Sequence, residues 1–208
     1  MSMQKFKFSL LVLCFLFTFS GCNNESTDGT YKIVRNPEPT KQLEVVEFFA
    51  YFCPHCFRLD PRVRAWEKTL PKNVHFIRIP LTLGHNSARV YSRAYYLSQK
   101  LGIFERSHLR IFDDFHNKKI QITSDQQLKR LFMKLGASEA DIDKALADPE
   151  LNQLVDKAEQ TAKYFGIVSV PSFVVNGKYL TDAGMTSGVA GLFKKINFLL
   201  RKDLNKKK

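Results

Sequence analysis

The stretch VVEFFAYFCPHCFRLDP, residues 45–61, decides the fold of this chain. It contains most of a nearly continuous apolar run, Leu43 to Ala50, of the kind found in a central strand that is buried on both faces. Pro54 then stands where the first residue of a helix is expected, and the apolar spacing becomes helical. The stretch therefore predicts a buried strand that leads into a helix, with Cys53 at the junction.

Further strands and helices are predicted on both sides of this unit. A strand at Asn73–Ile79 completes a strand–helix–strand unit, for which a right-handed crossover is expected. Helical periodicity then falls into four short segments between Asn86 and about Pro149, which indicates a compact helical insertion. The other predicted elements are a first strand at Tyr31–Val34, a helix at Pro149–Phe165, a hairpin around Asn176-Gly177 and a last helix at Ser187–Leu200.

Cap residues mark the ends of the short helices in the insertion. Ser124 and Ser138 stand at N-cap positions, where a hydroxyl can accept a hydrogen bond from the first helical turn. Gly102 and Gly136 stand where helices are expected to end, because glycine readily adopts the left-handed conformation of a C-terminal cap. We therefore expect separate folded helices here rather than a linker.

The N-terminus has the pattern of an export signal. Lys5 and Lys7 precede an apolar run from Phe8 to Phe19, and small residues follow. The apolar run is well short of the roughly 20 residues that a membrane-spanning helix needs. We therefore predict a signal peptide at residues 1–21, which lies outside the fold, and a polar tether at residues 22–29.

The sequence Ser20-Gly21-Cys22 resembles the bacterial lipobox. In that motif the cysteine becomes the lipidated N-terminus of the mature protein, so the resemblance implies lipid attachment at Cys22. Ordinary signal cleavage and a retained N-terminal anchor are the alternatives.

The chain is basic, and its charge is spread along the sequence. Without the leader it loses Lys5 and Lys7 and no acid, so the formal charge falls from +12 to +10. Dispersed charge on an exported protein favours solubility or attraction to acidic surfaces, and no nucleic-acid partner is expected. The remaining length, about 185 residues, suits one domain or one domain with an insertion.

After removal of the leader, the folded part keeps two cysteines, Cys53 and Cys56. A structural disulfide across two intervening residues closes too small a loop to restrain the unfolded chain much. A zinc site would need further ligands, and no second cysteine pair or suitably spaced histidine follows, so no metal is expected. Redox chemistry is the favoured interpretation of the pair.

The position of the pair predicts which thiol reacts. At the start of a helix, the Cys53 sulfur meets unpaired N–H groups and the positive end of the helix, which favour a thiolate. Cys56 lies three residues further on the same face and can attack a mixed disulfide formed at Cys53. His55 can add a donor or a positive charge, although an exposed loop histidine without a role is the alternative. A stabilised thiolate makes the disulfide form an oxidant.

Two segments resemble the DsbA family of thiol:disulfide oxidoreductases. EFFAYFCPHC is similar to the active-site strand and redox motif of that family, and SVPSFVVNGKY is similar to its cis-proline loop and hairpin. The resemblance covers roughly Tyr31 to Leu200. It implies an α/β class, namely a thioredoxin fold with an inserted all-helical domain. The thioredoxin-like part would comprise residues 30–84 and 150–208, and the insertion residues 85–149.

The resemblance also assigns candidate roles to individual residues. The Pro54-His55 dipeptide matches the family's redox motif. Pro171, preceded by Val170, matches the loop whose cis bond exposes backbone for pairing with a substrate peptide. Glu47 matches a buried acid that influences proton transfer from the resolving cysteine. From the residues alone, an edge-facing or salt-bridged Glu47 remains an alternative; the sequence does not identify its partner, and Lys68 and Lys72 are guesses.

These observations predict a periplasmic oxidase that donates its Cys53–Cys56 disulfide to reduced, unfolded exported proteins. The resemblance implies reoxidation by a membrane quinone reductase of the DsbB type, and the leader implies membrane attachment through Cys22. No metal or organic cofactor is expected. The alternatives are a disulfide isomerase or reductase on the same scaffold, kept reduced, and a surface-tethered binding protein that does not use its thiols.

Overall fold

A mixed sheet of five strands forms the centre of the computed structural model, which describes residues 28–202. The strands are β1 (Lys32–Ile33), β2 (Leu43–Phe49), β3 (Val74–Pro80), β4 (Ser172–Val175) and β5 (Tyr179–Thr181). Their order is β1-β5-β4-β2-β3, with β2 and β3 parallel and the other neighbours antiparallel. The predicted leader and Cys22 lie outside the described residues.

Helices cover the sheet and fill the segment between β3 and β4. They are α1 (Pro54–Glu67), α2 (Arg89–Lys100), α3 (Phe104–His116), α4 (Asp125–Lys134), α5 (Glu139–Ala147), α6 (Pro149–Phe165) and α7 (Gly188–Lys202), with a short 3-10 turn at Asn86–Ala88. The α/β class and the helical insertion predicted from the sequence are confirmed. None of the helices between residues 28 and 202 is both long and apolar enough to cross a bilayer.

The central strand β2 contributes side chains to both layers of the core. Because successive residues of a strand point to opposite faces, Val45 lies under α1 and α7, whereas Val46 and Phe48 lie under α6. All three side chains are buried. The strand is thus covered on both faces, as its continuous apolar run predicts.

The insertion packs onto the end of the sheet where the cysteines lie. Cys53 and Cys56 belong to the same buried cluster as Tyr91 of α2 and Phe112 of α3. The predicted caps are present, since Ser124 Oγ accepts from Gln127 N–H at 3.3 Å and Ser138 Oγ accepts from Asp141 N–H at 3.1 Å. Gly102 and Gly136 have φ angles of 64° and 89°, as expected where α2 and α4 end.

Candidate active site

Cys53 is the N-cap residue of α1. Its backbone is extended, with φ −81° and ψ 117°, and Pro54 occupies the first helical position. The Cys56 N–H donates to Cys53 Sγ at 3.3 Å, so the sulfur takes the place of the usual capping oxygen. The apolar strand and the proline therefore place this thiol at the positive end of a helix.

The two thiols have opposite acidities. The pKa of Cys53 is lowered from 9.0 to about 6, chiefly because the Cys56 thiol donates to its sulfur, with help from the backbone N–H groups of Cys56 and His55. The pKa of Cys56 is raised, mainly by burial and also by that same hydrogen bond and the negative charge of Cys53. Near neutral pH Cys53 is consequently mostly thiolate, the form of a cysteine that attacks disulfides, whereas Cys56 holds its proton.

The predicted proline loop lies next to Cys53 Sγ. The Val170-Pro171 peptide bond is cis, as the family resemblance implies, and the carbonyl oxygen of Val170 lies 3.5 Å from Cys53 Sγ. Strand β4 begins directly afterwards and pairs with β2, which brings the loop to the end of β2 that leads to Cys53. The fold thus brings together Cys53, Cys56, Val170 and Pro171.

Glu47 is buried on β2 and paired with Arg78 of β3. The two residues are direct register partners, and Arg78 Nε lies 3.2 Å from Glu47 Oε2. Burial raises the pKa of Glu47 to about 7, even though the charge of Arg78 acts in the opposite direction. Lys68 and Lys72, the guessed partners, were wrong, because both are exposed beyond the end of α1, whereas Arg78 lies on the neighbouring strand.

A buried hydrogen-bonded chain links Tyr51, His108 and Asp60. The Tyr51 hydroxyl lies 2.8 Å from His108 Nδ1, and His108 Nε2 lies 2.9 Å from Asp60 Oδ1. Burial lowers the pKa of His108, so the neutral form of the ring is favoured. In one tautomer it accepts from Tyr51 and donates to Asp60. Sequence reasoning missed this chain, although a histidine and an aspartate inside apolar helical patterns were a usable signal.

A second histidine supports the loop that precedes Cys53. His116 Nε2 donates to the Tyr51 carbonyl oxygen at 2.8 Å, and its ring stacks on Phe57 with a centroid distance of 4.7 Å. Both contacts come from the last turn of α3. The helical insertion therefore holds the reactive loop through a backbone contact as well as through side chains.

His55 occupies one of the two exposed positions between the cysteines. Its backbone N–H stabilises the Cys53 thiolate more than its ring does, since the hydrogen bond from the N–H lowers the Cys53 pKa more than the charge of the ring. The residue is exposed and lines the cleft beside Cys53. Pro54 is exposed beside it and sets the first turn of the helix.

Enzymes of the thioredoxin superfamily exchange disulfides through a cysteine that caps a helix, and the sheet and thiol pair described above place the chain in that class. Residues 44–194 match the family model described as a DSBA-like thioredoxin domain. The chain belongs to this family of thiol:disulfide oxidoreductases.

Proteins of several bacteria are similar to this chain over most of its length. The thiol:disulfide interchange protein DsbA of Pseudomonas aeruginosa is 26% identical over 199 residues, which cover 94% of each chain. DsbA of Burkholderia cepacia is 28% identical over 181 residues, covering 85% of each chain. The crystal structure of Pseudomonas aeruginosa DsbA superposes with a TM-score of 0.81 over 89% of this chain and 99% of that chain.

Proposed function

We propose that this protein is a periplasmic oxidase that donates its Cys53–Cys56 disulfide to newly exported proteins. The observation that carries the proposal is the position of Cys53 Sγ at the N-terminus of α1, where it accepts the Cys56 N–H at 3.3 Å; this setting lowers the Cys53 pKa to about 6, whereas the pKa of Cys56 is raised. A thiol pair of which one member is stable as a thiolate favours the reduced state, so its disulfide is readily given up. The direction of transfer is therefore from this protein to the client.

The reaction takes two exchanges. A client thiolate attacks Cys53 Sγ, which breaks the Cys53–Cys56 bond and leaves Cys56 to take up a proton. A second client thiolate then attacks the client sulfur of the mixed disulfide, and Cys53 leaves as a thiolate. Two electrons and two protons in total pass from the client dithiol, one of those protons being released to solvent where Cys53 stays ionised. Cys53 is a good leaving group in the second step because its pKa is low.

The surrounding residues support these two exchanges. The Val170 carbonyl beside Cys53 can accept a backbone N–H of an extended client segment, with Pro171 fixing the loop. Glu47, with a pKa of about 7, can hold the proton that Cys56 needs on leaving. Pro54 and His55 shape the first helical turn, and His55 adds to the stability of the thiolate.

The cellular setting follows from the leader and from the family. The protein would be exported, cleaved before Cys22 and attached to a membrane by a lipid at that residue. A DsbB-type quinone reductase would restore the disulfide. The thioredoxin-like part would be formed by residues 30–84 and 150–208, with residues 85–149 as the helical insertion.

The redox state of the pair in intact cells tests the proposal. Acid trapping followed by alkylation with a heavy maleimide distinguishes disulfide from dithiol by a gel shift. We expect the disulfide, and we expect the purified oxidised protein to oxidise a reduced unfolded client stoichiometrically. A pair kept reduced in cells, together with repair of scrambled disulfides by the reduced protein, would contradict the proposal.

A further inference from the structure

A cleft of about 660 Å³ opens beside Cys53 between α1 and the loops that lead to β4 and α7. One wall is the exposed side of α1, and the other is the segment after β5 together with Val189 of α7. The Val170-Pro171 loop lies in the cleft, so a client segment that pairs with Val170 must pass through it. The side chains that line this cleft therefore contact the client segment.

The α1 wall is basic. Arg58 and Arg62 are one helical turn apart, both are exposed, and both line the cleft. Within residues 28–202, neither guanidinium has a carboxylate within ion-pairing distance, although Arg64 of the same helix pairs with Asp60 and Glu105. The first turn of α1 contains no acid. Two unneutralised guanidinium groups therefore face the path of the client.

The opposite wall carries less charge than the α1 wall. Its one carboxylate, Asp182, accepts from the Met185 N–H at 2.8 Å through Oδ1 and sets one negative formal charge against the two positive charges of Arg58 and Arg62. The other lining groups on that side are Ala183, Gly184 and Val189. The cleft thus has a mostly apolar wall, which can accept apolar side chains of any unfolded segment. Its other wall is positive and favours a segment with a negative side chain.

We propose that the cleft selects client segments that carry an acidic side chain near the reacting cysteine. The inference rests on the function proposed above and names the class of substrate that it favours. A helix rises about 1.5 Å and an extended segment about 3.3 Å per residue, so Arg58 and Arg62 lie opposite positions roughly two to four residues from the client cysteine. A carboxylate there gains two planar donors.

A pair of synthetic dithiol peptides tests this selection. The two peptides of a pair differ only in having Glu or Gln three residues from the first cysteine. One pair carries this residue before the cysteine, and a second pair carries it after the cysteine. Rates of reduction of the oxidised protein are measured by rapid acid quench and expressed per peptide thiolate, because the acid also raises the peptide thiol pKa. We expect the Glu peptide to react about three- to tenfold faster at low ionic strength, with most of the difference lost at high salt.

Matched variants locate the effect. Arg58→Gln with Arg62→Gln should abolish the preference, and Arg62→Gln alone should weaken it. Arg130→Gln removes the same charge from an exposed position on α4 and should leave the preference intact. The redox equilibrium of each variant with glutathione confirms that the thiol pair itself is unchanged.

The outcomes separate this inference from the function on which it rests. Oxidation of neither peptide by the unmutated protein would contradict the proposed function. Oxidation of both at equal rates, without salt dependence, would overturn the selection alone. A preference that survives in the double arginine variant would also overturn it, because the discriminating charge would then lie elsewhere.

Discussion

Glu47 and Arg78 stand directly opposite each other on β2 and β3, and both side chains are buried. Arg78 also donates to Glu67 of α1 at 2.7 Å, so one guanidinium serves two carboxylates from different elements. Because a one-residue slip would turn both side chains to the other face, the buried pair Glu47–Arg78 favours a single register.

Glu47→Gln should change how stability depends on pH. The pKa of Glu47 is about 7 in the folded protein and 4.5 ordinarily, so the folded state binds the Glu47 proton more tightly than the unfolded state does. The free energy of unfolding therefore falls as pH rises from about 4.5 to 7. Gln cannot ionise, so the variant should gain roughly 1–3 kcal/mol relative to the parent across that window. Urea unfolding of the oxidised proteins at several pH values measures the difference.

An exposed carboxyl provides the control for this experiment. Glu38→Gln removes a carboxyl from an exposed position between β1 and β2, so any change that it shares with Glu47→Gln reflects the loss of charge alone. A constant stability difference between Glu47→Gln and the parent from pH 4.5 to 7 would show that Glu47 titrates normally, contrary to its burial.

Two substitutions of Cys56 should act differently on Cys53. Cys56→Ala removes the thiol that contributes most to the low Cys53 pKa, so that pKa should rise by about one unit or more. Cys56→Ser keeps a hydroxyl donor and should shift it less. Thiolate absorbance near 240 nm, followed against pH in the reduced proteins, gives both values. The transition should vanish in Cys53→Ser, and equal shifts in the two Cys56 variants would exclude the hydrogen bond as the main cause.

His55→Ala should weaken the oxidant slightly. The ring is lost while the backbone N–H that faces Cys53 stays, so the Cys53 pKa should rise by less than in Cys56→Ala. About 30 mV corresponds to roughly 1.4 kcal/mol for a two-electron couple, so even a small decrease in potential is measurable against glutathione. Client oxidation should slow as well. An unchanged equilibrium with glutathione would assign His55 no tuning role.

His108→Leu should destabilise the protein by about 2–4 kcal/mol, because it leaves the Tyr51 hydroxyl and an Asp60 oxygen buried without this partner. Tyr51→Phe removes one end of the same chain and should cost about 1 kcal/mol. His75→Leu, at an exposed position on β3, is the matched control and should have little effect. Urea unfolding of the oxidised forms compares them, and equal losses in both histidine variants would argue against the chain.

Cys22→Ala should prevent lipid attachment. The variant should be released into the soluble fraction or accumulate as an uncleaved precursor, because the lipobox-like sequence loses its acceptor thiol. Fractionation and intact-mass analysis of the mature protein distinguish these results. An unmodified N-terminus on the mature parent protein would contradict the lipoprotein prediction.

The sequence predicted the local structure of the site well. Cys53 as a helix cap, the Asn176-Gly177 turn and the serine caps of the insertion all depend on residues close in the chain, for which spacing is informative. The cis proline opposite Cys53 came from the family resemblance instead. The boundaries at residues 84 and 149 stay predictions.

Contacts between distant segments were harder to predict. Arg78 was missed as the partner of Glu47, although an arginine inside the apolar β3 pattern is as unusual as a glutamate inside β2. Finding the pair requires the register of two strands that are separated by α1. The contact between His108 and Asp60 was harder to predict than this pair, because the spacing of residues in α3 does not show which face of the helix contacts Asp60.

The link from His108 to Tyr51 and Asp60 has a consequence for how the molecule comes apart. The histidine belongs to the insertion, whereas Tyr51 stands two residues before Cys53 and Asp60 seven residues after it. An outward movement of the insertion would break the hydrogen bonds of His108 and leave the polar groups of Tyr51 and Asp60 without this partner in the apolar cluster around Cys53. The helical segment is therefore not an independent lid, and both parts of the chain should lose their structure in one cooperative transition, with the single tryptophan and the helical circular dichroism reporting the same midpoint.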